Sequence, residues 1–157
     1  MRWIALPVGI VLVAWTLLDV FRTLVMPRAA RGRVRLSRIL FRPIWRPWRW
    51  IGIRGKTTQA RERILSAAAP FLFFVLLIGW VSLALLGYAL VLWSPAFVDG
   101  IGSGGDSFGN ALYVSGTSLF TLGSVTGVTG WTRAIVVAEA ATGLGLFAVV
   151  IAYLPVL

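Results

Sequence analysis

The chain has 157 residues, 59% of them hydrophobic, and its 15 basic side chains outweigh 5 acidic ones to give a net charge of +10. A mean hydropathy of +0.89 and an apolar share above the soluble range of roughly 45–50% mark a membrane protein of few spans, too short for a membrane module plus a large soluble domain. Cysteine and histidine are both absent, which excludes disulfides, thiol chemistry, Cys/His metal sites and histidine acid–base catalysis. No enzyme, no cofactor and no resident metal is expected.

The first 27 residues read as an N-terminal transmembrane helix, with the apolar run from Trp3 to Met26. At 1.5 Å per residue it reaches about 36 Å, enough to cross a core of about 30 Å with some tilt. A cleaved signal peptide has a shorter apolar region followed by a small-residue site. Here no Ala-x-Ala follows and the trailing flank is basic, so a retained helix is favoured. Asp19 and Arg22 lie three residues apart on one face near its inner end. They form either a local ion pair or a contact to a neighbouring helix, the first reading being preferred.

Residues 28–65 form a basic segment. Twelve of the fifteen basic residues lie between Arg28 and Arg63, where the only acid is Glu62. A basic block beside apolar spans marks the cytoplasmic side. Trp45, Trp48 and Trp50 alternate with Arg42, Arg46 and Arg49, a pattern also met in nucleic-acid binding. A positive-inside loop explains the same residues without a nucleic-acid fold, so no nucleic-acid partner is expected. Prolines and glycines punctuate the segment against one long helix. Its mixed apolar and arginine content suits an interfacial stretch held by anionic lipid.

The rest of the chain, 66–157, opens with a second span at about 66–93. Pro70 lies in its first turns, and Trp80 and Trp93 are candidate interface anchors. The glycine-rich stretch 94–106 reads as an outer loop whose two charges, Asp99 and Asp106, are acidic. A short helix then starts at Ser107 or Phe108, with Ser107 as N-cap and Asp106 at the positive end of the dipole. From Ala111 to Gly130, small and hydroxylated residues alternate with Leu112, Tyr113, Leu119, Phe120 and Leu122. Such a stretch is too polar for lipid and too apolar for an aqueous loop. Irregular backbone at membrane depth survives where protein or a water-filled cavity surrounds it, so 107–128 reads as a re-entrant helix and loop. The last span covers about 131–157 and contains Thr142-Gly143-Leu144-Gly145 and a single acid, Glu139.

Ala-Leu-Tyr at 111–113, Ser115, Thr-Leu-Gly at 121–123 and Arg133 are similar to the potassium-channel pore module. That family runs outer helix, pore helix, Thr-Val-Gly-Tyr-Gly-Asp filter, inner helix. The match covers about 111–157, and the two-helix frame extends it back to about 66. The resemblance implies an all-α membrane protein of three transmembrane helices, with a pore helix and filter loop between the last two. It implies a selectivity filter at Thr121, Leu122, Gly123, Ser124, Val125, Thr126 and Gly127, and a gating hinge at Gly143. Leu144, Phe147 and Ile151 share one face beyond it and would line the inner pore. Thr117 and Glu139 are candidate supports of the filter. Glu139 either sits behind the short helix and bonds its hydroxyls or helps attract cations, and Gly143 serves either as hinge or as a tight packing point.

The chain departs from the family at the filter's outer half. Ser124, Val125 and Thr126 stand where an aromatic, a glycine and an acid are expected. A β-branched residue is ill-suited to the left-handed backbone that a filter glycine adopts. Looping the extra residues lets Gly127 take the second glycine's part. One chain supplies one loop and four are needed to ring an ion, so a homotetramer is expected. The function implied is a plasma-membrane cation channel, with potassium favoured over sodium as the permeant ion. A non-conducting structural or regulatory subunit on the same scaffold is the alternative. Three spans and an inner basic loop put the N-terminus outside and the C-terminus in the cytoplasm. The chain stops at Leu157 with no polar tail, and a longer parent sequence is expected.

Overall fold

The computed structural model describes residues 2–24, 58–101, 107–123 and 128–153. The described residues are helical: α1 (Arg2–Leu24), α2 (Thr58–Trp93), a 3-10 turn (Val98–Ile101), α3 (Phe108–Leu119) and α4 (Thr132–Tyr153). Three stretches are long and apolar enough to cross a membrane, Arg2–Thr23, Phe73–Trp93 and Thr132–Ala152. A multi-pass membrane architecture follows from length and composition.

The second helix begins at Thr58, upstream of the expected start near 66. Between Thr58 and Ala69 the sequence has no glycine or proline, and Gln59, Ala60, Arg61, Glu62, Arg63 and Leu65 are good helix formers. Pro70 consequently falls inside the helix rather than in its first turns. The interfacial stretch expected upstream, up to residue 57, lies outside the described residues, as do 154–157 at the end of the last span.

Two compact units are distinguished, residues 1–17 with 81–156, and residues 18–80 with 157. Within the second, Trp80 is fully buried and its Nε1 donates to Asp19 Oδ2 at 2.9 Å. Trp80 is therefore no interface anchor, because its only polar atom is turned to a buried carboxylate. Asp19, 4% exposed, has found the neighbouring helix rather than serving only an ion pair with Arg22.

Within the first unit, α1 and α2 meet at two glycines. A Cβ on Gly9 would stand 2.6 Å from the Gly87 carbonyl oxygen, and one on Gly87 would stand 2.8 Å from Val13 Cγ2. Only glycine permits so close a backbone approach, the usual device for packing helices where lipid removes the hydrophobic drive. Beyond this crossing, Leu92, Ile101, Ala111 and Val114 form a buried cluster flanked by Trp93, Ile135 and Val136. It binds the end of α2, the 3-10 turn and α3 to the first turns of α4. Trp93 and Phe108 meet edge to face at 5.5 Å, which holds the start of α3 against the end of α2.

Candidate functional site

The site is α3 with the chain that enters and leaves it. Ser107 has extended backbone (φ −90°, ψ 131°) and its side chain accepts from Gly109 N at 3.2 Å, satisfying one of the orphan donors of the first turn. The helix ends in a Schellman-type turn. Phe120 N donates to Gly116 O at 3.1 Å, Thr121 N to Ser118 O at 3.0 Å, and Leu122 N to Thr117 O at 2.8 Å. Thr121 (φ 56°) and Gly123 (φ 67°) both adopt left-handed backbone, with one residue between them. Gly123 does so at no steric cost. For β-branched Thr121 this is a true outlier, worth about 1–3 kcal/mol of local strain. The Thr121 hydroxyl donates to Phe120 O at 2.8 Å. Leu122 and Gly123 are exposed in the single chain, and Ser124, Val125, Thr126 and Gly127 lie outside the described residues.

The return is clamped. Thr129 N donates to Gly100 O at 3.0 Å, Thr132 Oγ1 donates to Phe97 O at 3.2 Å, and Arg133 Nε donates to Val128 O at 2.6 Å. Gly100 is obligatory here, since a Cβ would lie 2.0 Å from Thr132 Oγ1. Phe97, Gly100 and the first turn of α4 thus hold the chain at 128–132.

The buried face of α3 is hydroxylated. Thr117 Oγ1 and Ser118 Oγ both donate to Val114 O, at 2.9 and 2.8 Å, so they are satisfied within their own helix. Thr117 reaches the loop through its main-chain carbonyl rather than its side chain. Ser115 is different: its hydroxyl lies 3.0 Å from Leu85 O of α2 and also donates to Glu139 Oε1 of α4. Ser115 thus ties α3 to both α2 and α4. Glu139 is fully buried, and its Oε2 has no hydrogen-bond partner among the described residues. One further polar tie joins α2 to α4, where the Tyr88 and Thr142 hydroxyls lie 2.9 Å apart.

Gly143 packs directly on the end of α3. A Cβ there would fall 1.9 Å from Leu119 O and 2.8 Å from Leu119 C. Leu144, Phe147 and Ile151 are 64%, 47% and 72% exposed in the single chain, and the Phe147 ring lies 6.3 Å from that of Phe120. Among the described residues no three His, Cys, Asp or Glu side chains come together; the oxygens on offer are carbonyls and hydroxyls, ligands suited to hard monovalent cations.

Several of these contacts escape sequence reasoning. The Ser115–Leu85 contact, the Tyr88–Thr142 pair and the Gly100–Thr132 clamp join residues 30 or more positions apart, and no periodicity announces them. Comparison with protein families, with curated proteins and with solved structures finds no match to this chain.

Proposed function

We propose that four copies of this chain form a cation channel of the potassium-channel type, conducting passively along a central pore. The observation that carries the reading is the depth of the end of α3. Gly143 is eleven residues into α4, about 16 Å from its start, which is near the middle of a core of about 30 Å. Its contact with Leu119 supports a pore-helix depth for the end of α3, whose C-terminal carbonyls carry negative partial charge and would favour a cation. Left-handed backbone at Thr121 and Gly123 supports a filter role for the loop, because alternation of this kind aims successive carbonyls to one side. Strain tolerated at Thr121 fits a functional turn better than a mere connection.

In this reading α2 is the outer helix and α4 the inner helix. The exposed face of Leu144, Phe147 and Ile151 lines the inner pore, and Glu139 braces the pore helix from behind through Ser115. Potassium is the favoured ion over sodium. The protein is oriented in the plasma membrane with the N-terminus outside and the basic segment in the cytoplasm. The specific feature favouring the alternative, a non-conducting subunit on the same scaffold, is Val125 in the place of a filter glycine.

Ion flux from vesicles tests the proposal. Protein reconstituted into KCl-loaded vesicles and diluted into an impermeant salt is expected to release potassium on addition of a proton carrier. No flux from vesicles holding folded, tetrameric protein would move the reading to the non-conducting subunit.

A further inference from the structure

Within the first unit, α4 is held firmly over its first half and lightly over its second. Thr132 Oγ1 donates to Phe97 O, Glu139 accepts from Ser115, and Gly143 rests on the Leu119 carbonyl. Beyond that contact, among residues 144–152, only Leu146 is buried. The junction between the two halves is also a weak part of the helix itself. Thr142 Oγ1 donates to Ala138 O at 2.9 Å, so that carbonyl serves the side chain as well as the helix. A threonine bonded back in this way favours a bend. Gly143 and Gly145 follow at once, and glycine is among the poorest helix formers. A Cβ at Gly145 would meet open space, so no neighbour stiffens the turn there.

Tyr88 of α2 reaches this same turn. Its side chain is buried, and its hydroxyl lies 2.9 Å from Thr142 Oγ1 and 3.5 Å from Ala138 O. A phenol has only two rotatable bonds, so a packed ring holds its hydroxyl at a fixed point. We propose that the Tyr88–Thr142 contact is a latch on α4, holding straight a helix that otherwise bends at Thr142–Gly145. A bend there turns Thr142, and its hydroxyl leaves that of Tyr88. With the contact made, the straight form is favoured. Losing one neutral hydrogen bond shifts such an equilibrium by about two- to tenfold. The end of α4 carries Leu144, Phe147 and Ile151, exposed in the single chain. In the channel reading, on which this last step alone rests, they line the inner pore, so the latch controls conduction.

Hydrogen exchange of the full chain in detergent, read by mass spectrometry, locates the bend, because amides beyond Thr142 lose their helix partners in it. Tyr88→Phe removes the hydroxyl and fills the same space. It is expected to speed exchange at residues 143–149 by about two- to tenfold and to leave residues 133–140 within about a factor of two. Thr142→Ser keeps the hydroxyl and is expected to exchange like the unaltered chain. Faster exchange spread evenly over α2, α3 and α4 would mean that Tyr88 only stabilises the fold, and would overturn the latch. Unchanged exchange at 143–149 would overturn it equally. The same chains in KCl-loaded vesicles test the last step: Tyr88→Phe is expected to change the potassium flux by about two- to tenfold, and Thr142→Ser to leave it as it was. Equal flux beside a localised change in exchange would overturn control of the pore while conduction stands. No flux from any chain, the unaltered one included, would strike the channel reading, and the exchange pattern would still decide the latch.

Discussion

Gly143→Ala and Gly145→Ala make the same chemical change two residues apart on one helix, and the structure assigns them opposite effects. At Gly143 the new Cβ would lie 1.9 Å from Leu119 O, against an ordinary contact distance of 3.4 Å or more, so α3 and α4 must separate by about 1.5 Å. The opposing atoms are main chain, which no rotamer change can relieve. Overpacking of this kind costs typically about 1–3 kcal/mol, and a backbone obstacle puts the expectation at the upper end. At about 2–4 °C per kcal/mol for a chain of this size, the thermal midpoint falls by about 6–12 °C. At Gly145 a Cβ meets open space, and alanine gains up to about 1 kcal/mol of helix propensity, so the midpoint stays or rises by a few degrees. Thermal unfolding of the purified chain in detergent, followed by circular dichroism, compares the two. Equal midpoints would mean that α4 does not rest on the end of α3, and the depth argument for the re-entrant helix would go with it.

Other expectations follow from individual contacts. Ser115→Ala strands the fully buried Glu139 carboxyl and is expected to destabilise by about 1–3 kcal/mol. Glu139→Gln, which can donate to Ser115 and let Ser115 donate to Leu85 O, is expected to melt within about 1 kcal/mol of the unaltered chain; the same melting assay reads both. Trp80→Phe keeps the ring but removes the donor to Asp19, for an expected loss of about 1.5–3 kcal/mol. Asp19→Asn in that background should recover part of it, and no recovery would mean the indole acts only by packing. Gly87→Val drives a side chain into Val13 and the Gly9 carbonyl, and a drop of about 1–3 kcal/mol is expected. A Gly87→Val chain as stable as the original would contradict the close crossing of α1 and α2.

The three spans were legible because roughly twenty apolar residues in a row have few other uses. Ser107 was legible as a cap because a hydroxyl just before a helical run satisfies orphan donors wherever it occurs. The start of α2 was not, since hydropathy falls at the polar and charged residues Thr58, Gln59, Arg61, Glu62 and Arg63 while helix propensity largely does not. Trp80 misled because tryptophan in a span is commonly an interfacial anchor, and only the distant Asp19 explains its burial. Gly9 and Gly87 are 78 positions apart, and neither belongs to a small-xxx-small pair of glycines that would announce a packing face. Around the site, the local pattern at Ala111–Gly123 pointed to a re-entrant turn. The left-handed Thr121 runs against the preference of a β-branched residue, and the Leu122 N–Thr117 O and Thr121 N–Ser118 O bonds that close the helix end hold it there.

Reversal potential across a planar bilayer tests the central claim most directly, with purified protein between unequal KCl and NaCl solutions. Cation current reversing close to the potassium equilibrium potential is expected if carbonyls of the Thr121–Gly127 loop replace the water shell of potassium. Current reversing near zero would leave a pore with little preference between the two cations. Silence from folded tetramers would contradict the channel reading itself.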